Sequence, residues 1–246
     1  MRWFCVSIFQ LIVCGAIAQP EIFQYHKIED IAKKETRASQ FFQKLDSLKK
    51  TRQPHDSSVD IYFDRDVDFG YKHERIVVML NSWHYQVDLL TKNDSVYLTS
   101  FRFGSIFDNP YPKRKFVKID TLHSTQYLLL RNRFYNSDKT LTDLSEELNI
   151  AEEYASHCGD GSPMTRRWKK LQAQAQNNSQ KKFLHMLQSF CCEEQEYGLA
   201  GFKLIEKNGK KVPKGIDEII KHVESRKSDL VICAGCLILV QHQLKE

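Results

Sequence analysis

Two cysteines near the carboxyl end, Cys233 and Cys236, have the spacing best suited to chemistry in this chain. A Cys-x-x-Cys pair can close a small disulfide, bind a metal, or exchange with other disulfides when the pKa of its first thiol is lowered. The exchange reaction usually requires a pair that opens a helix inside a strand-helix-strand unit. Here only the short run Leu230 to Ile232 precedes the pair, and no second strand pair follows it. We therefore favour a structural role for this pair over redox catalysis.

Zinc binding is the second chemistry that this region can support. His157 and Cys158 could join Cys233 and Cys236 as nitrogen and sulfur ligands of a tetrahedral site. Adjacent ligands from one loop are unusual in such sites, and the Cys-x-x-Cys pair has no matching second pair. The step from His157 to Cys158 could also represent a base beside a nucleophile, but sequence neighbours rarely point at each other. We expect no catalytic residue and no cofactor, with zinc as the alternative.

The distribution of the cysteines predicts disulfides in the carboxyl-terminal third only. Cys5 and Cys14 lie in the amino-terminal segment, and the other five are expected to enter an oxidising compartment, where cysteines usually staple a fold. Because five is an odd number, at least one thiol stays free, pairs between chains or takes another role. A bridge from Cys158 to either cysteine of the pair would close a long loop, which stabilises by about 3 to 4 kcal/mol. The disulfide candidates are Cys158, Cys191, Cys192, Cys233 and Cys236.

Residues 1–18, MRWFCVSIFQLIVCGAIA, predict an export signal. Arg2 gives a positive start, an apolar stretch follows, and Ala16-Ile17-Ala18 supplies the small-x-small pattern at which signal peptidases cut. The apolar stretch is shorter than the roughly 20 residues that a membrane-spanning helix needs. Val13, which is not small, disfavours lipid attachment at Cys14. We expect cleavage after Ala18 and a periplasmic or secreted protein without a transmembrane segment.

Composition is that of an ordinary soluble globular protein, with 41% hydrophobic and 27% charged residues. The formal net charge is +5, and the basic residues gather in short clusters. Such clusters can meet phosphates or an anionic membrane surface, but they are more often solvated faces and loop ends. Because an exported protein seldom meets nucleic acid, we expect no nucleic-acid partner. The clusters are Lys33-Lys34, Lys113-Arg114-Lys115, Arg166-Arg167-Trp168-Lys169-Lys170 and Lys207 to Lys214.

Hydrophobic periodicity predicts an α+β protein with two parts after the signal. Residues 19–137 form an α+β domain, in which Glu21 to Lys50 has the three-and-four spacing of a helix. Alternating and dense apolar runs from Val59 to Ile119 predict an antiparallel meander of four or five strands, with a hairpin turn at Lys92-Asn93-Asp94. Leu122 to Phe134 fits a buried helix and a buried strand equally well.

Residues 138–246 are predicted to form an all-α module that contains the cysteines. The first helix is expected to continue to Ala155, and the fourth to end at Gly209, where glycine allows a left-handed cap. Short helices joined by short polar turns indicate stacked helical hairpins, HEAT-like at most because no repeat period is present. The predicted starts are Thr140-Leu141-Thr142-Asp143, Ser162-Pro163, Ser179, Glu193-Glu194 and Pro213.

Three motifs of this module carry a family resemblance. They are Cys158-Gly159 through Gly161-Ser162-Pro163, the segment Gln195 to Phe202, and Cys233-Ala234-Gly235-Cys236. In this order they resemble an uncharacterised family of exported proteins from Bacteroidetes-type bacteria, over residues 150 to 240. The resemblance implies a bacterial envelope or secreted setting and a helical, cysteine-linked module, and it implies no activity. Cys191-Cys192 is not part of that pattern.

Two classes of function follow from these features. We favour a non-catalytic interaction or structural protein of the cell envelope, whose disulfide-stapled helical module presents a surface to a protein partner. The alternative is a thiol-disulfide or zinc-dependent enzyme centred on Cys158, Cys233 and Cys236.

Overall fold

The protein is a mixed α+β structure, as its periodicity predicts. A computed structural model describes residues 20–49, 57–80, 83–105, 114–150, 152–226 and 228–241. An antiparallel sheet occupies the amino-terminal half and helices occupy most of the carboxyl-terminal half. The predicted signal and its two cysteines lie outside the described residues. Within the described ranges, every helix is too short or too polar to cross a bilayer.

The sheet is a five-stranded meander in which each strand pairs with its sequence neighbours. The predicted turn between the third and fourth strands is confirmed, because Asn93 and Asp94 have φ values of 50° and 67°, which the common two-residue hairpin turn requires. The strands are β1 (Ser57–Asp68), β2 (Tyr71–Leu80), β3 (Trp83–Lys92), β4 (Ser95–Ser105) and β5 (Arg114–Ile119).

A bulge in β1 changes which side of the sheet its side chains face. Ile61 pairs with Ile76, but Phe63 pairs with Arg75, so one extra residue stands in β1. An extra residue moves the side chains that follow it to the opposite face, here as far as the second register shift between Asp66 and Asp68. Ile61 is therefore 48% exposed beside the amino-terminal helices, whereas Phe63 is buried on the other face. The alternation of apolar and polar residues in the sequence predicts β1 correctly, but it does not reveal that the side chains change face after the bulge.

Two amino-terminal helices cover one face of the sheet. Helix α1 (Pro20–Lys34) and helix α2 (Ala38–Lys49) bury apolar side chains such as Ile28 and Phe41 against the sheet. The prediction of one continuous helix from Glu21 to Lys50 is therefore wrong, because two helices occupy this segment. It is interrupted because the main chain of Thr36 accepts a hydrogen bond from Val96 of β4 at 2.8 Å, which competes with helical bonding.

In the described part of the chain after residue 119, six helices follow the sheet. The ambiguous segment from Leu122 to Phe134 is helical, with Asp120 accepting a hydrogen bond from the main-chain N–H of His123. Its buried side chains recur at helical spacing and include Tyr127, Arg131 and Tyr135. The helices are α3 (Thr121–Tyr135), α4 (Leu141–Glu147), α5 (Arg166–Gln176), α6 (Gln180–Leu187), α7 (Cys192–Lys207) and α8 (Ile216–Ser225).

Helix α4 has the predicted start but not the predicted end. The Thr140 hydroxyl and the Asp143 carboxylate form a reciprocal capping box. The helix then ends at Glu147, not near Ala155, because the Arg75 guanidinium binds the carbonyls of Leu148 and Ile150 at 3.0 and 3.3 Å. Those carbonyls are therefore directed toward the sheet rather than along a helix axis.

Two other predicted helix starts are displaced by three or four residues. Helix α5 begins at Arg166 rather than at Ser162-Pro163, because the hydroxyl of Thr165 caps it by accepting from the N–H of Trp168 at 3.1 Å. Helix α8 begins at Ile216 rather than at Pro213, after Gly215 with φ of 98°. The starts at Ser179 and Glu193 agree with the structure to within one residue, although the Ser179 side chain makes no capping bond.

The expectation of an entirely helical carboxyl-terminal part is wrong at its end. Strands β6 (Leu230–Ala234) and β7 (Leu237–Gln241) form an antiparallel hairpin across a turn at Gly235 and Cys236. The aliphatic run fits a strand as well as a helix, and Gly235 adopts φ of 63° in the turn. The fold class is unchanged by this correction.

Small residues allow α6 and α7 to approach closely. A methyl group built on Gly201 would lie 2.5 Å from the ring of Phe183, and one on Gly198 would lie 2.9 Å from the Phe183 carbonyl oxygen. Phe183 is fully buried and cannot move aside freely. These two glycines therefore fix the spacing of the two helices.

The second face of the sheet is covered by the carboxyl-terminal half. Val67, Leu90 and Leu98 of the sheet pack in one apolar cluster with Tyr127 and Phe190 of the later half. This core crosses residue 137, the boundary predicted between the two parts. The halves thus share buried surface.

A buried carboxylate, Asp68, binds side chains from two helices at the end of β1. It accepts hydrogen bonds from Arg131 Nε at 2.8 Å, Tyr135 Oη at 2.9 Å, His222 Nε2 at 2.9 Å and Arg226 Nη1 at 2.7 Å. We call these five residues the Asp68 cluster. Burial alone would raise the pKa of the Asp68 carboxyl, but the two guanidinium groups hold it well below its usual range.

A second polar chain runs across the same face of the sheet. Arg65 of β1 contacts Glu193 of α7 at 2.6 Å and the Nδ1 atom of His73 at 3.4 Å. His73 Nε2 lies 2.8 Å from Asp88, which also accepts from Arg75 Nε at 2.6 Å. Burial lowers the pKa of His73 to about 4, so this histidine is neutral and links a donor to a carboxylate.

Replacing Asp68 with asparagine is expected to lower the free energy of unfolding by about 3 kcal/mol, because two buried arginines lose their counter-charge. Urea unfolding followed by circular dichroism measures this change. Asp60→Asn is the matched control, because Asp60 is exposed on the same strand. Equal stability of the two variants would contradict the role of the Asp68 cluster.

Acidification is expected to destabilise the protein through His73. The unfolded histidine binds a proton near pH 6.5 and the folded one only near pH 4, so the unfolded state holds more protons between these values and stability falls as pH decreases through them. Between pH 7 and pH 4.5, His73 alone should lower the free energy of unfolding by about 2 kcal/mol. Between pH 7 and pH 4.5, the His73→Gln variant should therefore lose about 2 kcal/mol less of its free energy of unfolding than the unaltered protein. If the variant has the same pH dependence as the unaltered protein, His73 is not the group responsible.

Candidate functional site

The predicted site cysteines separate into one disulfide and three thiols among the described residues. Cys158 is joined to Cys233, with a Cα–Cα distance of 5.5 Å across 75 residues. This is one of the two long bridges that the sequence allows. Cys236 is an exposed thiol in the hairpin turn, and Cys191 and Cys192 are buried thiols.

The buried thiols lie in an environment that disfavours reactivity. Cys191 Sγ is 3.2 Å from a carboxylate oxygen of Glu193, and both residues are buried. Burial, and then the charge of Glu193, raises the pKa of the Cys191 thiol well above its ordinary value. A thiol of this kind stays protonated at neutral pH, so we place Cys191 and Cys192 in the core.

The four residues considered for zinc do not present four free ligands. The bridge occupies the sulfur atoms of Cys158 and Cys233, while His157 is exposed and its Nδ1 atom lies 3.1 Å from Ser156 Oγ. In the part of the chain that the structure describes, His, Cys, Asp and Glu side chains nowhere group in threes with metal-binding geometry. The same bridge takes two of the three cysteines of the thiol-exchange alternative.

The disulfide fastens the loop from Tyr154 to Thr165 onto β6. Tyr154 donates its N–H to the Val231 carbonyl at 2.8 Å, and Gly159 donates to the Gly235 carbonyl at 2.7 Å. The loop ends at Thr165, whose hydroxyl caps α5. The bridge therefore anchors the chain immediately before the basic first turn of α5.

Helix α5 forms one wall of a groove of about 920 Å³, and α6 forms the other. We call it the basic groove. Leu171 and Met186 contribute its apolar floor together with Ile150. Its basic side chains are Arg166, Arg167, Lys170, Lys181, Lys182 and His185.

The charges in the basic groove are not balanced by its acids. Among the described residues, Arg166, Lys170, Lys181 and Lys182 form no ion pair. Arg167 is different, because it binds Glu152 and Glu194 and lies 4.0 Å above the ring of Tyr197. Glu147, the other acid of the groove, pairs with Lys139 and accepts from the N–H of Phe190 at 2.8 Å.

Sequence reasoning found half of the basic groove. It identified the cluster from Arg166 to Lys170 but treated it as a solvated face. It did not connect this cluster with Lys181-Lys182, which is brought opposite by the turn between α5 and α6. The signal available in the sequence was a basic cluster at the start of each of two consecutive helices.

Comparison of the chain with protein-family models, with curated proteins and with solved structures finds no match. The resemblance of its cysteine motifs to an exported family, and the HEAT-like arrangement, therefore stay predictions.

Removal of the disulfide is expected to lower the free energy of unfolding by about 4 kcal/mol, because it closes a long loop in the unfolded chain. The Cys158→Ser/Cys233→Ser double variant should show this loss in urea unfolding, and dithiothreitol should reproduce it in the unaltered protein. Cys236→Ser is the control, since this thiol is unpaired among the described residues. Insensitivity of the unaltered protein to dithiothreitol would rule out the bridge.

Proposed function

We propose that this chain is an exported, non-catalytic binding protein whose basic groove holds an anionic amphiphile. The observation that carries the proposal is a set of cations around an apolar floor that form no ion pair within the described ranges, Arg166, Lys170, Lys181 and Lys182. Export is supported by the signal-like residues 1–18 and by the disulfide, since disulfides persist in oxidising compartments.

The chemistry of the groove favours a ligand with a charged head and an apolar portion. Neighbouring cations without counter-charges repel one another, and a phosphate or carboxylate between them removes that repulsion. Met186 and Ile150, which are both half-buried, offer the ligand an apolar surface that water solvates poorly. A volume of about 920 Å³ lies within the range of small-molecule sites.

Binding fits the groove better than catalysis does. The one hydroxyl among the described lining residues, that of Ser189, donates to Glu147, which is itself paired with Lys139. Glu147 also accepts from the N–H of Phe190, so both of its oxygens are engaged with the protein itself. The cysteines proposed for the enzymatic alternative are joined in a bridge or lie elsewhere.

The groove is tested by calorimetric titration with dodecyl phosphate below its micellar concentration. Lys170→Gln/Lys182→Gln should weaken binding about tenfold or more, because each variant position loses a contact to a charged group and solvent reduces the energy of each contact at these exposed lysines. Lys211→Gln/Lys214→Gln removes the same charge outside the groove and should leave the affinity nearly unchanged. Affinity should also fall as salt is raised.

Two controls separate the contribution of the ligand's charged head to binding from that of its apolar tail. Dodecyl maltoside carries the same tail without charge and should bind weakly, and inorganic phosphate should do the same. A peptide of alternating glutamate and leucine that binds more tightly than dodecyl phosphate would assign the groove to a protein partner. Equal affinity of the two lysine variants for dodecyl phosphate would contradict the proposal.

A further inference from the structure

Strand β7 is an apolar strand at the open edge of the carboxyl-terminal hairpin. Leu237, Ile238 and Leu239 are 63%, 53% and 45% exposed. The strand, LILVQ, contains no charged residue. Proteins usually protect such edges with charges, prolines or a covering segment, because an exposed apolar edge pairs readily with another strand.

The hairpin register shows which main-chain groups of β7 point outward. Ala234 pairs with Leu237 across a two-residue turn, and Ile232 pairs with Leu239. Because hydrogen-bonded pairs alternate along an antiparallel ladder, Leu237 and Leu239 face β6 while Ile238 and Val240 direct their N–H and C=O groups away from it.

The opposite edge of the hairpin supports this assignment. Val231 and Cys233 of β6 have the outward orientation, and both bond to Tyr154: the Val231 carbonyl accepts at 2.8 Å and the Cys233 N–H donates at 3.3 Å. For Ile238 and Val240 no corresponding main-chain bond occurs within the described ranges. Among the residues that the structure describes, one edge of the hairpin is therefore covered and the other is open.

We propose that two copies of this chain pair through β7 and form a continuous four-stranded antiparallel sheet. A two-fold axis beside Leu239 places Ile238 of each copy opposite Val240 of the other, so that four outward N–H groups find four carbonyls. The apolar side chains of the two strands then lie side by side. Since the strand is uncharged, the copies meet there without opposed like charges despite the positive net charge of the chain.

A second copy fits this edge because the strand is complementary to itself. The unused groups belong to the main chain, so the partner must be an extended strand. Antiparallel pairing about a two-fold axis satisfies both copies with the same two residues, Ile238 and Val240. In this register Cys236 does not lie opposite its own copy, so its thiol is not needed for the pairing.

Cysteine scanning tests the register. In a Cys236→Ser background, Leu239→Cys places two cysteines opposite each other at a non-hydrogen-bonded pair, with a Cα–Cα distance of about 4.5 Å, which a disulfide can span. Leu239→Cys should form a covalent dimer in air, seen on a non-reducing gel, while Leu237→Cys, which lies opposite Gln241, should not. Equal crosslinking of both variants, or of neither, would overturn the proposal.

Charge substitution tests the pairing without a covalent bond. The Cys236→Ser protein should sediment at twice the monomer mass at high concentration and dissociate on dilution. Leu239→Lys and Leu239→Glu should each raise the dimer dissociation constant at least tenfold, because like charges then oppose each other, and an equimolar mixture should restore the dimer. Leu237→Lys is the matched control. A monomer at all concentrations, or no rescue in the mixture, would also overturn the proposal.

Discussion

The carboxylate of Asp68 receives four side-chain hydrogen bonds, and the arrangement of the two halves depends on them. Its partners come from α3 and α8, which lie at least 63 residues further along the chain. Asp68 also has φ of 118°, a conformation that a non-glycine residue adopts only when its surroundings impose it. If Asp68 were buried here without its two arginines, its uncompensated charge would strongly destabilise the folded protein. The end of β1 therefore takes its observed form only when the helices are in place.

The surfaces proposed for function depend on the same internal contacts. Glu193 binds Arg65 of the sheet at one end of α7, and its Oε1 accepts the N–H of Val231 at 2.9 Å. The contact between Glu193 and Val231 thus fixes the hairpin of β6 and β7 to the core. Cys233 on β6 in turn anchors the loop that leads into α5. The basic groove and the open edge of β7 are two outward faces of one connected structure. Each can be altered on its surface without touching the buried charges.

Local sequence patterns predict most of the helices and strands, but they do not predict where contacts with distant residues end or bend those elements. The alternation in β1, the turn at Asn93 and Asp94 and the capping box at Thr140 are local signals, and the structure contains all three. The end of α4 is set by Arg75, which is more than 70 residues away. The bulge in β1 is likewise a property of the pairing with β2 and not of the strand alone.

The buried charges were missed for a related reason. Arg65 lies between Asp64 and Asp66, and His73 lies between Lys72 and Glu74, so both stretches have the polar composition of a solvent-facing surface. Arg65 and His73 are buried because the later half of the chain covers their face of the sheet, and Arg65 meets its partner 128 residues away. Of the candidate site, the sequence predicted a bridge from Cys158 to either Cys233 or Cys236, and it identified the basic cluster of one wall without assigning it to a groove. The second wall required the geometry of the turn between α5 and α6.

Native-state hydrogen exchange tests most directly whether the buried charges join the two halves into one cooperative unit. Amides in β2 and β3 and amides in α7 should exchange through openings of equal free energy, and that energy should match global unfolding in urea. The account would be contradicted if α7 opened at a free energy about 2 kcal/mol or more below that of the sheet, because the helical half would then unfold while Asp68 kept its place in an intact sheet.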